Sequence, residues 1–151
     1  MNNYSKVMTF DASTDKVYDA LTSEIPKWWT EQFEGTSNSQ GENFTIRFGT
    51  NIFKTMKVTE LSPGKKVVWN VIDSLIDLPE LNNKSEWVGT KIEWVISQKE
   101  NQTQLNLTHY GLTPQIECYT ICEGGWEQFT YSLSEFINTG IGRPYKAATE
   151  N

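Results

Sequence analysis

The chain is poor in the residues on which most site chemistry is built. Of its 151 residues, one is histidine, two are cysteine and five are proline. Zinc takes three or four nitrogen or sulfur ligands in a tetrahedron, commonly from closely spaced cysteines on turns. His109, Cys118 and Cys122 exhaust that supply, and the two thiols stand four apart within a helical pattern. Neither a metal nor another cofactor is therefore expected. Basic residues are also short: 13 Lys and Arg against 19 Asp and Glu leave a net charge of −6, with no Lys/Arg stripe interleaved with aromatics. That argues against nucleic acid or an anionic membrane surface as a partner. No apolar run approaches the ~20 residues of a spanning helix, and residues 1–10 carry no secretory leader. With two cysteines so close together, these absences point to a reduced, cytoplasmic protein.

What the chain has in quantity is aromatic surface. Phe, Trp and Tyr make up 13% of residues, including six Trp, while the hydrophobic fraction is only 37%. A few large rings must do much of the filling. One domain is expected over 1–151, burying roughly 70% of the surface of its unfolded chain, with residues 139–151 as a C-terminal tail.

Residues 4–10 alternate loosely and end at Asp11-Ala12-Ser13. This predicts a strand, then a helix with Ser13 as N-cap and Asp15 near the positive helix end. Val17, Ala20 and Leu21 form its apolar face. Ile25-Pro26 interrupts that helix, because the residue before proline avoids helical geometry, and Pro26 opens a second short helix carrying Trp28 and Trp29. Two adjacent tryptophans cannot share one helical face, so at least one is expected at an edge of the core or a cavity rim.

After a polar loop at 35–41, strands dominate. Phe44, Ile46 and Phe48 alternate; 52–61 is a second run; Val67, Trp69 and Val71 share a face; Ile92, Trp94 and Ile96 precede Leu105, Leu107 and His109. By strict period two, His109 points inward with the leucines. The 74–88 connection carries Leu75, Ile76, Leu78 and Leu81, and reads either as a lid or as a surface loop with a satellite cluster. Thr113-Pro114 is a helix start, with Thr113 as N-cap and Pro114 at the first helical position. The spacing of Cys118, Cys122, Gly125 or Trp126, Phe129, Leu133 and Phe136 or Ile137 predicts one amphipathic helix over 114–138, about 24 residues. Gly140 and Pro144 end it.

The layout is α+β: an antiparallel sheet of about six strands wrapped round a long C-terminal helix, with two short helices after strand one. A strand, ASTDKVYDALT, IPKWWT, a run of strands, HYGLTP and a long helix carrying GGW together resemble the START-like, birch-pollen-allergen-like (SRPBCC) superfamily. Within it the chain is similar to the branch of homologues of the activator of heat-shock-protein-90 ATPase. The resemblance covers residues 4–144. It implies a helix-grip fold, in which a strongly curved sheet holds the long helix and leaves an apolar cavity. It also implies small apolar ligands or lipids for many relatives and chaperone binding for the eponymous member, but no single chemistry.

On the residues themselves, the expected cavity walls are Trp28, Trp29, Phe44, Ile46, Phe48, Trp69, Trp94, Leu107, His109, Cys122, Trp126 and Phe129. Large aromatics with a few polar groups suit an apolar ligand pocket; the same rings could instead fill the space completely. A thiol activated by His109 is the catalytic alternative. No oxyanion donors or third orienting residue can be read from the chain, and buried, inert cysteines beside a satisfied histidine explain the cluster better. Glu117 and Glu123 diverge round the helix, and Asp73 and Asp77 read as solvated charges. Gly124-Gly125 reads as close packing of helix on sheet, or as a kink. The expected function is non-catalytic binding of a small apolar or amphipathic molecule between sheet and C-terminal helix, with His109 and Tyr110 or Glu117 supplying polar contacts. Alternatives are a co-chaperone-like protein-interaction module and a cyclase- or hydrolase-like enzyme using the same cavity.

Overall fold

The computed structural model describes residues 2–146. Strand β1 (Tyr4–Phe10) leads into helix α1 (Thr14–Thr22), where Ser13 caps the first turn by accepting from the Lys16 amide at 3.1 Å. Val17, Ala20 and Leu21 are buried along one side, as their spacing predicts. A single 3₁₀ turn, Ile25–Lys27, begins on Ile25 with Pro26 as its second residue, so the residue before the proline is part of the turn that Pro26 was expected to open. Strands β2 (Phe33–Gly35), β3 (Asn43–Arg47), β4 (Ile52–Ser62), β5 (Lys66–Ile76), β6 (Lys91–Lys99) and β7 (Gln102–Tyr110) follow, and then helix α2 (Tyr119–Thr139).

All pairings are antiparallel, in the order β1-β7-β6-β5-β4-β3-β2. Register shifts between Thr55/Met56 and Val58/Glu60 interrupt the β4–β5 ladder. Such bulges bend a strand and increase its twist, which curves the sheet round α2. The sheet has seven strands where the pattern suggested six. The addition is β2, three residues long and too short to show alternation; it pairs Phe33 with Ile46 and stacks Phe33 on Phe44 at 5.6 Å.

Trp28 and Trp29 follow the 3₁₀ turn instead of riding a helix, so the one-face restriction does not apply. Both are buried and their rings stack at 5.2 Å. Trp28 Nε1 donates to the Ala20 carbonyl at 2.7 Å, tying this segment to α1.

Helix α2 starts five residues later than Pro114. Residues 114–118 form turns and a bend, with the Ile116 amide on the Thr113 carbonyl and the Tyr119 amide on the Ile116 carbonyl. The cause lies in the connection expected over 74–88, of which residues 74–76 instead complete β5: Glu86 accepts from the amides of Glu117 and Cys118, both at 2.9 Å, and Glu117 in turn accepts from the amides of Asn82 and Asn83. A distant carboxylate supplies the cap that Thr113 was expected to give. At the other end Gly140 adopts the left-handed conformation and returns its amide to the Phe136 carbonyl, as its place in the sequence predicts.

Part of the expected tail is integral to the domain. Tyr145 bridges Thr30, donating its amide to the Trp29 carbonyl and accepting from the Glu31 amide. Gly142 permits the approach, since a Cβ there would stand 2.4 Å from the Lys27 carbonyl oxygen. Residues 147–151 of that tail lie outside the described residues. Among the described residues no helix is long and apolar enough to cross a membrane.

Candidate functional site

Between α2 and strands β4 and β5 lies a cavity of about 220 Å³. Helix α2 contributes Cys122, Gly125, Trp126 and Phe129; β4 contributes Ile52 and Lys54; and Ile76 closes the end of β5. Trp29, Phe48, Trp87 and Tyr145 complete the wall, with the exposed Ile121 and Gln128 beside them.

Of the residues expected to line a cavity, Trp29, Phe48, Cys122, Trp126 and Phe129 do so. Trp28, Phe44, Ile46, Trp69, Trp94, Leu107 and His109 are instead buried in the interior behind it. The reason is volume. Inward rings on the central strands meet one another before any space remains: Trp69 stands edge-on to Phe44 at 5.1 Å and to Trp94 at 5.7 Å, and Trp94 edge-on to Trp126 at 5.7 Å. The open volume is thereby displaced towards β4 and the middle of α2. Trp69 Nε1 and Trp94 Nε1 are buried without a partner among the described residues, a cost that this dense packing must offset.

The glycine pair does not serve close packing. A Cβ at Gly124 or Gly125 would meet nothing within 4 Å, so each weakens the helix by about 1 kcal/mol relative to alanine with no steric need. Gly125 borders the cavity.

His109 is buried on β7, facing inward as period two predicts. Its Nδ1 accepts from Trp126 Nε1 at 3.0 Å, so the ring proton sits on Nε2, which donates to Thr90 Oγ1 at 2.9 Å; that hydroxyl donates to the Trp87 carbonyl at 2.6 Å. Both nitrogens are occupied. Burial, reinforced by the Lys54 charge, lowers its pKa to about 3. His109 is thus a neutral pin joining β7, α2 and the 74–88 connection.

Cys118 and Cys122 are free, with sulfurs 2.7 Å apart. Cys122 also accepts from Trp87 Nε1 at 3.1 Å. Its pKa is lowered chiefly by the Cys118 hydrogen bond, with help from Lys54 and Trp87, while that of Cys118 is raised by the same bond and by burial. Sequence reasoning passed over Lys54 and Trp87. Lys54 alternates with Ile52, Met56 and Val58 on the inward face of β4, and a lysine in that register is the signal that marks it. Its Nζ lies 4.3 Å from the Trp87 ring centroid and 5.1 Å from that of Phe48. Burial pushes its pKa below the ordinary lysine value. Among the described residues no group of three or more His, Cys, Asp or Glu side chains is placed to hold a metal ion.

Residues 11–138 match the family described as Activator of Hsp90 ATPase homolog 1-like protein. The chain belongs to that family. Its fold is the START-like helix-grip architecture. The Aha1 dimer from Colwellia psychrerythraea, solved in solution, is 30% identical, with a TM-score of 0.76 over 94% of this chain and 100% of that one. Protein MLL2253 from Mesorhizobium loti is 18% identical, with a TM-score of 0.68 over 89% and 96% of the two chains. CalU16 from Micromonospora echinospora is 19% identical, with a TM-score of 0.65 over 92% and 75%. No curated protein matches the chain. As an Activator of Hsp90 ATPase homolog 1-like protein the chain shares the fold of these structures. The last two likenesses bear on the fold alone.

Proposed function

We propose that the chain is a binding protein that takes a small apolar or amphipathic molecule into the cavity between the sheet and α2. The observation that carries this is the lining: aromatic faces from Trp29, Phe48, Trp126 and Phe129 around about 220 Å³, with Gly125 on the border of that space, where an added Cβ would meet nothing within 4 Å. The volume exceeds the ~150 Å³ of an engineered apolar cavity that takes up benzene. A helix that carries a destabilising glycine without a packing reason is consistent with a wall kept thin for an occupant.

Replacing the glycines separates the two roles. Gly125→Leu is expected to fill the space and abolish uptake of phenylacetamide, followed by tryptophan fluorescence. Gly124→Ala, on the exposed side, should raise stability to urea by about 1 kcal/mol and leave uptake unchanged. Wild-type protein that takes up neither this probe nor anything retained from lysate by native mass spectrometry would remove the reading.

A second reading, an interaction module of co-chaperone kind, is favoured by the family match and by the 30% identity to an Aha1 dimer over nearly the whole chain. It predicts that the chain stimulates ATP hydrolysis by a purified Hsp90; an unchanged rate and no complex on gel filtration would eliminate it.

A further inference from the structure

The cavity wall holds one basic side chain, Lys54. Lys54 is the sole ionisable acid-binding group in a wall that contains no Asp or Glu, within a chain whose net charge is −6. Among the described residues its ammonium has neither an ion-pair partner nor a hydrogen bond, and only the thiols Cys122 and Cys118 act on it electrostatically. The rings of Trp87 and Phe48 stabilise the cation through their faces, but a ring face leaves the three N–H donors without ordinary acceptors. Directly opposite Lys54 on β5 stands Ser74, 2% exposed, whose hydroxyl is likewise unpartnered among the described residues. An unpartnered amine and an unpartnered hydroxyl on one inward face, beside an apolar space, form half of a recognition site.

We propose that the natural occupant is a small organic acid, its aliphatic or aromatic body against Trp29, Phe48 and Phe129 and its carboxylate against Lys54 Nζ. This rests on the cavity being a binding site, and adds the charge of the ligand. A carboxylate supplies the acceptors that the Lys54 side chain lacks, through charge-assisted hydrogen bonds that are stronger than neutral ones. An alcohol or amide of the same shape would leave the cation unmatched.

The test compares acids with their neutral isosteres on the full chain at pH 7, by NMR titration: octanoate with octanamide, and phenylacetate with phenylacetamide. Wild-type protein is expected to bind each acid about tenfold or more tightly than its amide. Lys54→Met should erase that preference while leaving amide affinity within about twofold, since methionine keeps the apolar stem. Equal affinity for acid and amide in the wild type would overturn the inference and leave the cavity reading intact, independently of how the variant folds. Binding of neither pair would overturn both. A preference that survives Lys54→Met would assign the anion to another group and overturn the role of Lys54.

Discussion

Acidification from pH 6.5 to pH 5 is expected to cost the protein about 2 kcal/mol of stability through His109 alone. The imidazole titrates near 6.5 in the unfolded chain and near 3 in the folded one, so below pH 6.5 the unfolded state binds the extra proton. The contribution is complete above 6.5 and falls away as pH drops towards 3. Charging the ring would also break its bond with Trp126, because Nδ1 would then carry a proton facing an N–H donor. Glu34, Glu117 and Glu127 are lowered in the fold by Arg47, by the Asn83 and Asn82 amides, and by Lys6 with Tyr4 respectively. Their stabilisation is lost only as pH falls below the ordinary carboxylate range, so none of the three accounts for a decline between pH 6.5 and 5. Urea denaturation at pH 7, 6 and 5 should show the decline in the wild type and a nearly flat response in His109→Gln. Parallel slopes would assign the decline elsewhere.

Trp126→Ala should destabilise the fold by about 4 kcal/mol, the cost of deleting a large buried ring, or prevent folding altogether. This indole is 2% exposed and packs against Tyr4, Trp29, Trp87, Trp94 and His109. It joins the edge strand, the 3₁₀ segment and the 74–88 connection to α2. Trp126→Phe keeps a ring and loses the donor to His109, for which about 1–2 kcal/mol is expected. Equal losses in the two variants would mean that the hydrogen bond dominates the packing.

Much of the fold was legible because its signals are local. Ser13 before Val17, Ala20 and Leu21, the alternation of Leu105, Leu107 and His109, and Gly140 after the last helical turn each fix one element by short-range geometry. The errors arose where tertiary contacts decide. Glu86 caps α2 from more than thirty residues away, and no local pattern at Thr113-Pro114 reveals a competitor. Strand β2 exists because β3 lies beside it. In the site, period two correctly turned Trp69, Trp94 and Leu107 inward, but an inward direction does not distinguish a wall from a filled interior; that depends on summed ring volumes from strands far apart in sequence. Lys54 was hidden by its type, since lysine is read as exposed unless its register is counted against Met56 and Val58. Trp87 was hidden by its place at the end of an irregular connection.

The tryptophans have an optical consequence. Trp28 touches Trp29 and Trp94; Trp29 touches Trp69 and Trp126; Trp126 touches Trp87 and Trp94. All six indoles of the chain therefore form one connected array at centroid separations between 5.2 and 6.1 Å. At such spacings light absorbed by any one of them is shared among the rest. A probe placed against Trp29, Trp87 or Trp126 is expected to dim or shift the emission of the whole array, which makes filling of the cavity readable without a dye.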